Sequence, residues 1–322
     1  MNSKQHDNPT FGPELIREAA HRIRPLAQRT PIFTSRGASS IAGKQLFFKC
    51  ENFQRGGAFK IRGASNLILS LPPEAIARGV VAFSSGNHAQ ATAIAAKHVG
   101  AAATIVMPND APRSKMDSTR AMGARIVTYD RLKEDREEIA AKILDETGAT
   151  LVPPYDHPMI MAGQGTAALE LLEDHPELDA LVVCVGGGGL ISGSATIAKS
   201  INPNIRVFGV EPEIANDTWQ SFRKGERVTI PPSQTIADGL RSPSPGKLTF
   251  PVIQRLVEDI LLVSEQEIRE TVRFCFSRMK MVVEPSGAVS VAAALHGKLP
   301  KEIKRAGIII SGGNMDPETI CA

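Results

Sequence analysis

The sequence predicts an α/β protein built on mostly parallel sheets, with helices packed on both faces. Three observations carry that reading. Apolar runs of strand length alternate with helical runs over most of the chain, the pattern of repeated strand–helix units. The run at 180–185 is apolar at every position, as a strand covered on both faces requires. Clusters of glycine, serine and asparagine follow directly after strands, where open parallel sheets hold their ligands.

Residues 13–26 place apolar side chains at helical spacing and form the first amphipathic helix. A short strand at 46–50 leads into a glycine-containing turn and a helical run at 64–71. The rhythm then repeats. Strand 79–83 precedes the alanine-rich helix 87–98. Strand 103–107, closed by Pro108, precedes helix 115–122, and strand 124–129 precedes helix 134–147. After helix 165–172 come strand 180–185, helix 190–200 and strand 206–210. A helix at 265–279 and a strand at 306–310 end the series. The stretch 212–258 breaks the rhythm. It is rich in proline, serine and charge, and is expected to be a long excursion near the active face.

The length of 322 residues suffices for one large domain or two medium ones. A net charge of +3, with lysine and arginine scattered among acids, gives no basis for nucleic-acid or membrane-surface binding. The four cysteines, Cys50, Cys184, Cys275 and Cys321, form no CxxC pair and are expected to be free thiols in a reducing compartment. Residues 1–7 are polar without an apolar signal core and read as a short disordered lead; no apolar run reaches membrane-spanning length. Cytoplasmic location is the expectation.

Lys60 sits between Phe59 and Ile61, behind Gly56 and Gly57. A lysine is ordinarily a solvated surface group. A desolvated one loses its proton more readily, becomes a nucleophile and forms Schiff bases with carbonyl cofactors. Gly186, Gly187, Gly188 and Gly189 follow a strand and open a helix. Four glycines exceed what a tight turn needs, and backbone N–H groups at a helix start make a phosphate cradle. The spacing matches neither the dinucleotide fingerprint, whose third glycine position falls on Ile191, nor the P-loop, since Ser194 follows Gly193. Ser84-Ser85-Gly86-Asn87-His88 also opens a helix. It reads either as an ordinary serine cap or as a nest for a carboxylate. Ser311, before Gly312 and Gly313, reads either as part of a glycine turn or as a neutral hydroxyl for a ring nitrogen. A reactive lysine and a phosphate cradle without a nicotinamide fingerprint point to pyridoxal phosphate.

The segments ENFQRGGAFKIRGA, SSGNHAQ, AGQGT, VGGGGL, VEPSGA and SGGN occur in this order. Over about residues 15–316 they resemble the fold-type II pyridoxal phosphate enzymes, specifically the threonine dehydratase and serine racemase family. The resemblance implies a tryptophan synthase beta-like fold of two doubly wound domains with the cofactor between them. The large domain would be 1–70 and 156–322, the small one 71–155. It implies that Lys60 carries pyridoxal 5'-phosphate, Phe59 packs beside the ring, Asn87 bonds the ring hydroxyl, Gly186 to Gly189 bind the phosphate and Ser311 faces the ring nitrogen. Ser84, Ser85, Asn87 and His88 would surround the substrate carboxylate.

The implied reaction is β-elimination from L-serine, L-threonine or threo-3-hydroxyaspartate, giving a 2-oxo acid and ammonia. Ser85 matches the second acid/base of the racemases, so a serine racemase with dehydratase side activity is the alternative. A non-catalytic regulatory protein on the same fold is a remoter one. The loop from Glu211 to Asp217 resembles the racemases' metal loop. The carboxylates of Glu211 and Asp217 and the carbonyl of Ala215 would hold a magnesium, calcium or manganese ion.

Pro154-Tyr155-Asp156 resembles the dehydratases more than the mammalian racemases. Nucleotide activation is therefore doubtful, although Gln90 and Lys115 match relevant positions. The sequence runs only a short way past SGGN, so an isoleucine-sensing domain is not expected. A second substrate carboxylate would need a cation, with Arg136 and Arg241 as candidates and a surface role the commoner fate of each. The family also implies a homodimer, with helices outside the sheet as its interface.

Overall fold

The computed structural model describes residues 10–111, 113–130, 133–316 and 318. Its strands, in chain order, are β1 (Ile32–Thr34), β2 (Gln45–Cys50), β3 (Val80–Phe83), β4 (Ala103–Pro108), β5 (Arg125–Tyr129), β6 (Thr150–Leu151), β7 (Ala180–Cys184), β8 (Arg206–Pro212), β9 (Asp259–Val263) and β10 (Arg305–Ile310). They form two sheets. One has the order β1-β2-β10-β7-β8-β9 and the other β5-β4-β3-β6. Every pairing is parallel except β1 with β2, as the strand–helix alternation predicts.

The helices are α1 (Pro13–Arg22), α2 (Arg36–Ala42), α3 (Lys60–Ile68), α4 (Pro73–Arg78), α5 (Asn87–His98), α6 (Arg113–Ala121) and α7 (Arg136–Thr147) in the first half. The second half adds α8 (Pro158–Asp174), α9 (Gly189–Ile201), α10 (Asp217–Lys224), α11 (Thr249–Leu256), α12 (Glu265–Phe274) and α13 (Pro285–Leu295). Helices α3, α8, α9 and α13 are buried almost all round. In α8 apolar and small residues cover every face, so it packs against α1, α3 and α9 together. In α13 the run Ala-Val-Ser-Val-Ala-Ala-Ala lies against β7, β8, β9 and β10. The helix expected at 265–279 ends its α-helical part at Phe274. A wide π turn over Cys275–Met279 follows, and Lys280 closes it in the left-handed conformation at φ 59.

The helix that begins at Lys60 is anchored by a buried charge cluster. Arg62, fully buried, donates to Glu51 through Nε (2.7 Å) and Nη2 (2.8 Å), and to Glu170 through Nη1 (2.7 Å) and Nη2 (2.8 Å). Lys49 adds a bond from Nζ to Glu170 at 2.6 Å. Two cations face two carboxylates, so the cluster is balanced and richly hydrogen-bonded. Burial opposes the charge on Glu51, but the Arg62 guanidinium overrides it and holds that carboxyl below its usual range. Arg62 is two residues from Lys60, so the cluster ties the start of α3 to β2 and α8.

Candidate active site

Lys60 is half-buried at the first turn of α3. Its Nζ donates to the Pro154 carbonyl at 2.8 Å and lies 5.1 Å from the centre of the Phe59 ring. Burial pulls its pKa down to about 8, against the opposing influence of Cys184 and Glu284. A nucleophilic amine near neutral pH is thus a property of the fold.

The strand ends converge on this amine. Cys184 closes β7, and its buried thiol is pushed up to about 11, although the Ser311 hydroxyl donates toward it. Ser311 follows β10, is 2 % exposed, and accepts the Phe59 N–H at 3.0 Å through its carbonyl. The glycine run begins after Val185. Gly188 has φ +93, a conformation that side-chain-bearing residues avoid, and a Cβ there would meet Thr249 at 2.7 Å. Gly187 leaves no room for a Cβ because the Tyr155 ring lies against it. The Gly187 carbonyl accepts from Gly246 N (3.1 Å) and Thr249 Oγ1 (2.7 Å), and Asp156 accepts N–H bonds from Lys247 and Leu248. The excursion after β8 therefore braces the glycine loop from outside. Helix α9 starts on this loop with Gly188 as its N-cap and no side-chain cap, which leaves its first N–H groups for an anion.

The turn after β3 is built alike. The serine-cap reading does not hold. Gly86 is the N-cap of α5, and it has no side-chain cap. Ser84 Oγ instead accepts the Gly86 N–H at 3.2 Å, within the turn. Ser85 is half-buried in the same turn. Asn87 donates through Nδ2 to Glu284 Oε1 at 2.8 Å. His88 is 3 % exposed, with Nε2 2.8 Å from the Val152 carbonyl. Burial, reinforced by the charge of Lys60, pushes its pKa down to about 3. It is therefore a neutral imidazole and brings no positive charge to a carboxylate.

Glu211 and Asp217 stand beyond the end of this region. Glu211 is in β8, which runs past the expected 206–210, and Asp217 opens α10; both are fully buried, as is Ala215 between them. Glu211 accepts from Thr218 N (3.1 Å) and Trp219 N (2.8 Å), while both Asp217 carboxylate oxygens lack a hydrogen-bond partner among the described residues. Burial raises both carboxyls, Asp217 to about 8, and the proximity of Asp217 raises Glu211 further. Two such carboxylates suit a hard cation, with backbone oxygen completing the set. Among the described residues, no cluster of three or more His, Cys, Asp or Glu side chains could hold a metal ion.

Arg241 is engaged with the Thr235 carbonyl at 2.8 and 2.6 Å. Arg136 lies over the Phe83 ring, 5.2 Å from its centre, at the end of β3. Cys50, Cys184 and Cys275 are buried free thiols, as expected. Cys321 and the Lys115 side chain lie outside the described residues, and Gln90 is half-buried on α5. Glu284, Asn314 and Thr249 carry no signal of their own in the sequence, and Cys184 reads there only as a free thiol. Glu284 and Asn314 lay inside the quoted VEPSGA and SGGN segments, but only the folded chain shows that their side chains reach Asn87.

Lysine, glycine loop and uncapped helix starts together fit a phosphate-bearing aldehyde. The chain belongs to the family of pyridoxal-phosphate dependent enzymes, whose model matches residues 23–312. Within it, the chain is 50% identical over 310 residues to serine racemase of Schizosaccharomyces pombe, covering 96% of this chain and 95% of that protein. It is 51% identical over 308 residues to L-threo-3-hydroxyaspartate ammonia-lyase of Saccharomyces cerevisiae, covering 96% and 94%. The solved structure of maize serine racemase superposes with a TM-score of 0.94 at 46% identity, over 97% of this chain and 96% of that one.

Proposed function

We propose that this protein is an ammonia-lyase that converts a small β-hydroxy amino acid (L-serine, L-threonine or threo-3-hydroxyaspartate) to a 2-oxo acid and ammonia. The observation that carries the reading is the Lys60 amine, held near a pKa of 8 beside the glycine loop. Pyridoxal phosphate, when bound, supplies the carbonyl and the electron-withdrawing ring that loosen the bonds at the substrate Cα. Gly186 to Gly189 would hold its phosphate on the free N–H groups of α9, with Phe59 beside the ring. Lys60 would serve as the base that takes the substrate Cα proton. Ser311 would offer the ring nitrogen a hydroxyl, too weak an acid to protonate it. Ser84, Ser85 and the backbone N–H of Asn87 would orient the carboxylate at the uncapped start of α5, with neutral His88 as a hydrogen-bonding neighbour.

Racemisation is the second reading, favoured by Ser85 in the turn after β3 and by the serine racemases among the relatives. A substrate panel separates the two: L- and D-serine, threonine and the hydroxyaspartate stereoisomers, with chiral analysis of products. Ser85→Ala is expected to abolish D-serine formation while largely sparing elimination from the L-substrates. Equal loss of both activities would remove Ser85 as a separate proton carrier. Hydroxyaspartate as a substrate would call on Arg136, whose guanidinium flanks the turn; Arg241 is already engaged with a backbone carbonyl.

A magnesium, calcium or manganese ion on Glu211, Asp217 and the Ala215 carbonyl would relieve the two partnerless Asp217 oxygens. Chelation is expected to lower the melting temperature and magnesium to restore it. At about 100 times its dissociation constant the ion adds about 2.7 kcal/mol. An unchanged melt after exhaustive chelation would leave the loop metal-free. A two-domain division at 71–155, a cytoplasmic location and a homodimer complete the proposal. The exposed apolar residues Phe33 and Phe53, stacked edge to face at 5.9 Å, support an assembly surface. No helix among the described residues is long and apolar enough to cross a membrane.

A further inference from the structure

The amide of Asn87 is held at both ends, and the polarity of that hold is unambiguous. Asn314 Nδ2 donates to the Gly56 carbonyl at 2.7 Å and to Asn87 Oδ1 at 2.9 Å. A carbonyl only accepts, so Asn314 has to turn its nitrogen toward Gly56. The second hydrogen of that nitrogen then meets Asn87, whose facing atom must be its oxygen. At the other end Asn87 Nδ2 donates to the Glu284 carboxylate at 2.8 Å. The orientation of a side-chain amide is usually open to two choices. Here acceptors at both ends of the chain Gly56–Asn314–Asn87–Glu284 leave one. A single Nδ2 hydrogen of Asn87 remains for a third partner.

Each member is built into this place. Gly57 has φ +71 and admits no Cβ because the Asn314 amide lies against it. Gly312 admits none because the Glu284 carboxylate occupies that space. Glu284 is 4 % exposed and stands at the N-cap position of α13, yet its side chain does not cap that helix. Its carboxylate reaches instead to Asn87, which opens α5 after a strand of the other sheet. The chain of bonds thus joins residues supported by both sheets.

We propose that Glu284 and Asn314 are positioning residues that make Asn87 present a hydrogen-bond donor, and never its oxygen, to the ring oxygen of the bound cofactor. The inference rests on the pyridoxal phosphate reading and deepens it. A donor at that oxygen stabilises its anionic form, and so selects the Schiff-base tautomer that absorbs at the longer wavelength. In Glu284→Gln a neutral amide replaces the charged acceptor, so the polarity is held from the Asn314 end alone and is weakened. Asn314→Asp puts an acceptor where the donor was, so Asn87 faces acceptors on both sides and loses its single favoured orientation.

The test titrates full-length apoprotein with pyridoxal phosphate, reading the dissociation constant and the ratio of the long- to short-wavelength bands. Both variants are expected to bind about tenfold more weakly with a reduced share of the long-wavelength band. The melting temperature of the Glu284→Gln apoprotein should match the wild type. A wild-type band ratio in either variant overturns the proposal, as does weaker binding with unchanged bands, which a merely structural role would give. If the wild-type protein itself binds no pyridoxal phosphate, the functional reading fails and this inference falls with it.

Discussion

Lys60→Ala is expected to cut turnover by about 10⁴-fold and to eliminate the covalent cofactor that borohydride would otherwise fix on the Lys60 peptide. The magnitude follows from the amine's setting. A solvated lysine with a pKa near 10.4 is neutral in roughly one molecule in 2500 at pH 7. At the pKa of about 8 imposed by burial, the neutral fraction is roughly one in ten. Cofactor capture by the wild-type apoprotein should therefore rise with pH up to about 8 and then level off. Stability rises with pH as well, but over a higher window. The folded state sheds this proton at lower pH than the unfolded chain, so the buried ammonium destabilises the fold below about pH 8. That cost fades as pH climbs toward the ordinary lysine range. Apo Lys60→Ala should accordingly melt no lower than wild type at pH 7, showing that lost activity is not lost folding. A modified peptide other than the one holding Lys60, or turnover retained in the variant, would falsify the assignment.

Arg62→Leu should produce the largest loss of stability, about 3–5 kcal/mol, because it strands the fully buried Glu51 and leaves Glu170 with Lys49 alone. For a chain of this size that lowers the melting temperature by roughly 10 °C. The effect has a pH signature. Glu51 has a depressed pKa in the fold, so its ionisation contributes stability above the ordinary carboxyl range, and that contribution fades as pH falls through its folded pKa. The gap between wild type and Arg62→Leu should therefore narrow in acid, where the stranded carboxylate takes a proton. Combining Arg62→Leu with Glu51→Leu should recover part of the loss. A gap that stays constant from pH 7 to pH 4 would mean that packing, not charge, sets the effect.

Neither Glu51 nor Arg62 announces itself in the sequence, since a charged side chain looks the same whether solvated or buried until the strands and helices around it are placed. The strands with continuous apolar runs, such as β7 and β10, were legible because burial on both faces writes itself into every position. Helix α13 was not. It is apolar or small on all sides, so it lacks the 3.6-residue alternation that marks an amphipathic helix. Strand β6 has only two residues, too few to show any period. Helices α10 and α11 were hidden within the irregular composition of 212–258. At the site, Lys60, the glycine loop and the Ser84–His88 turn were legible because each follows a strand and has residue types with few other uses there. The Asn314–Asn87–Glu284 chain was not, because its partners are 197 and 227 residues apart.

The order of the larger sheet has a consequence for how the protein is made. Strand β2, which delivers the chain to Lys60, pairs along its length with β10, which delivers it to Ser311. On the ribosome, β2 is synthesised among the first strands and β10 is the last to emerge. The nascent chain can complete β3–β6 while the central β2–β10–β7 pairing still waits for residues 305–310. Cofactor capture at a finished site is thus a late event in synthesis. Until then, β2 has one edge without its native neighbour, an opening for non-native strand pairing.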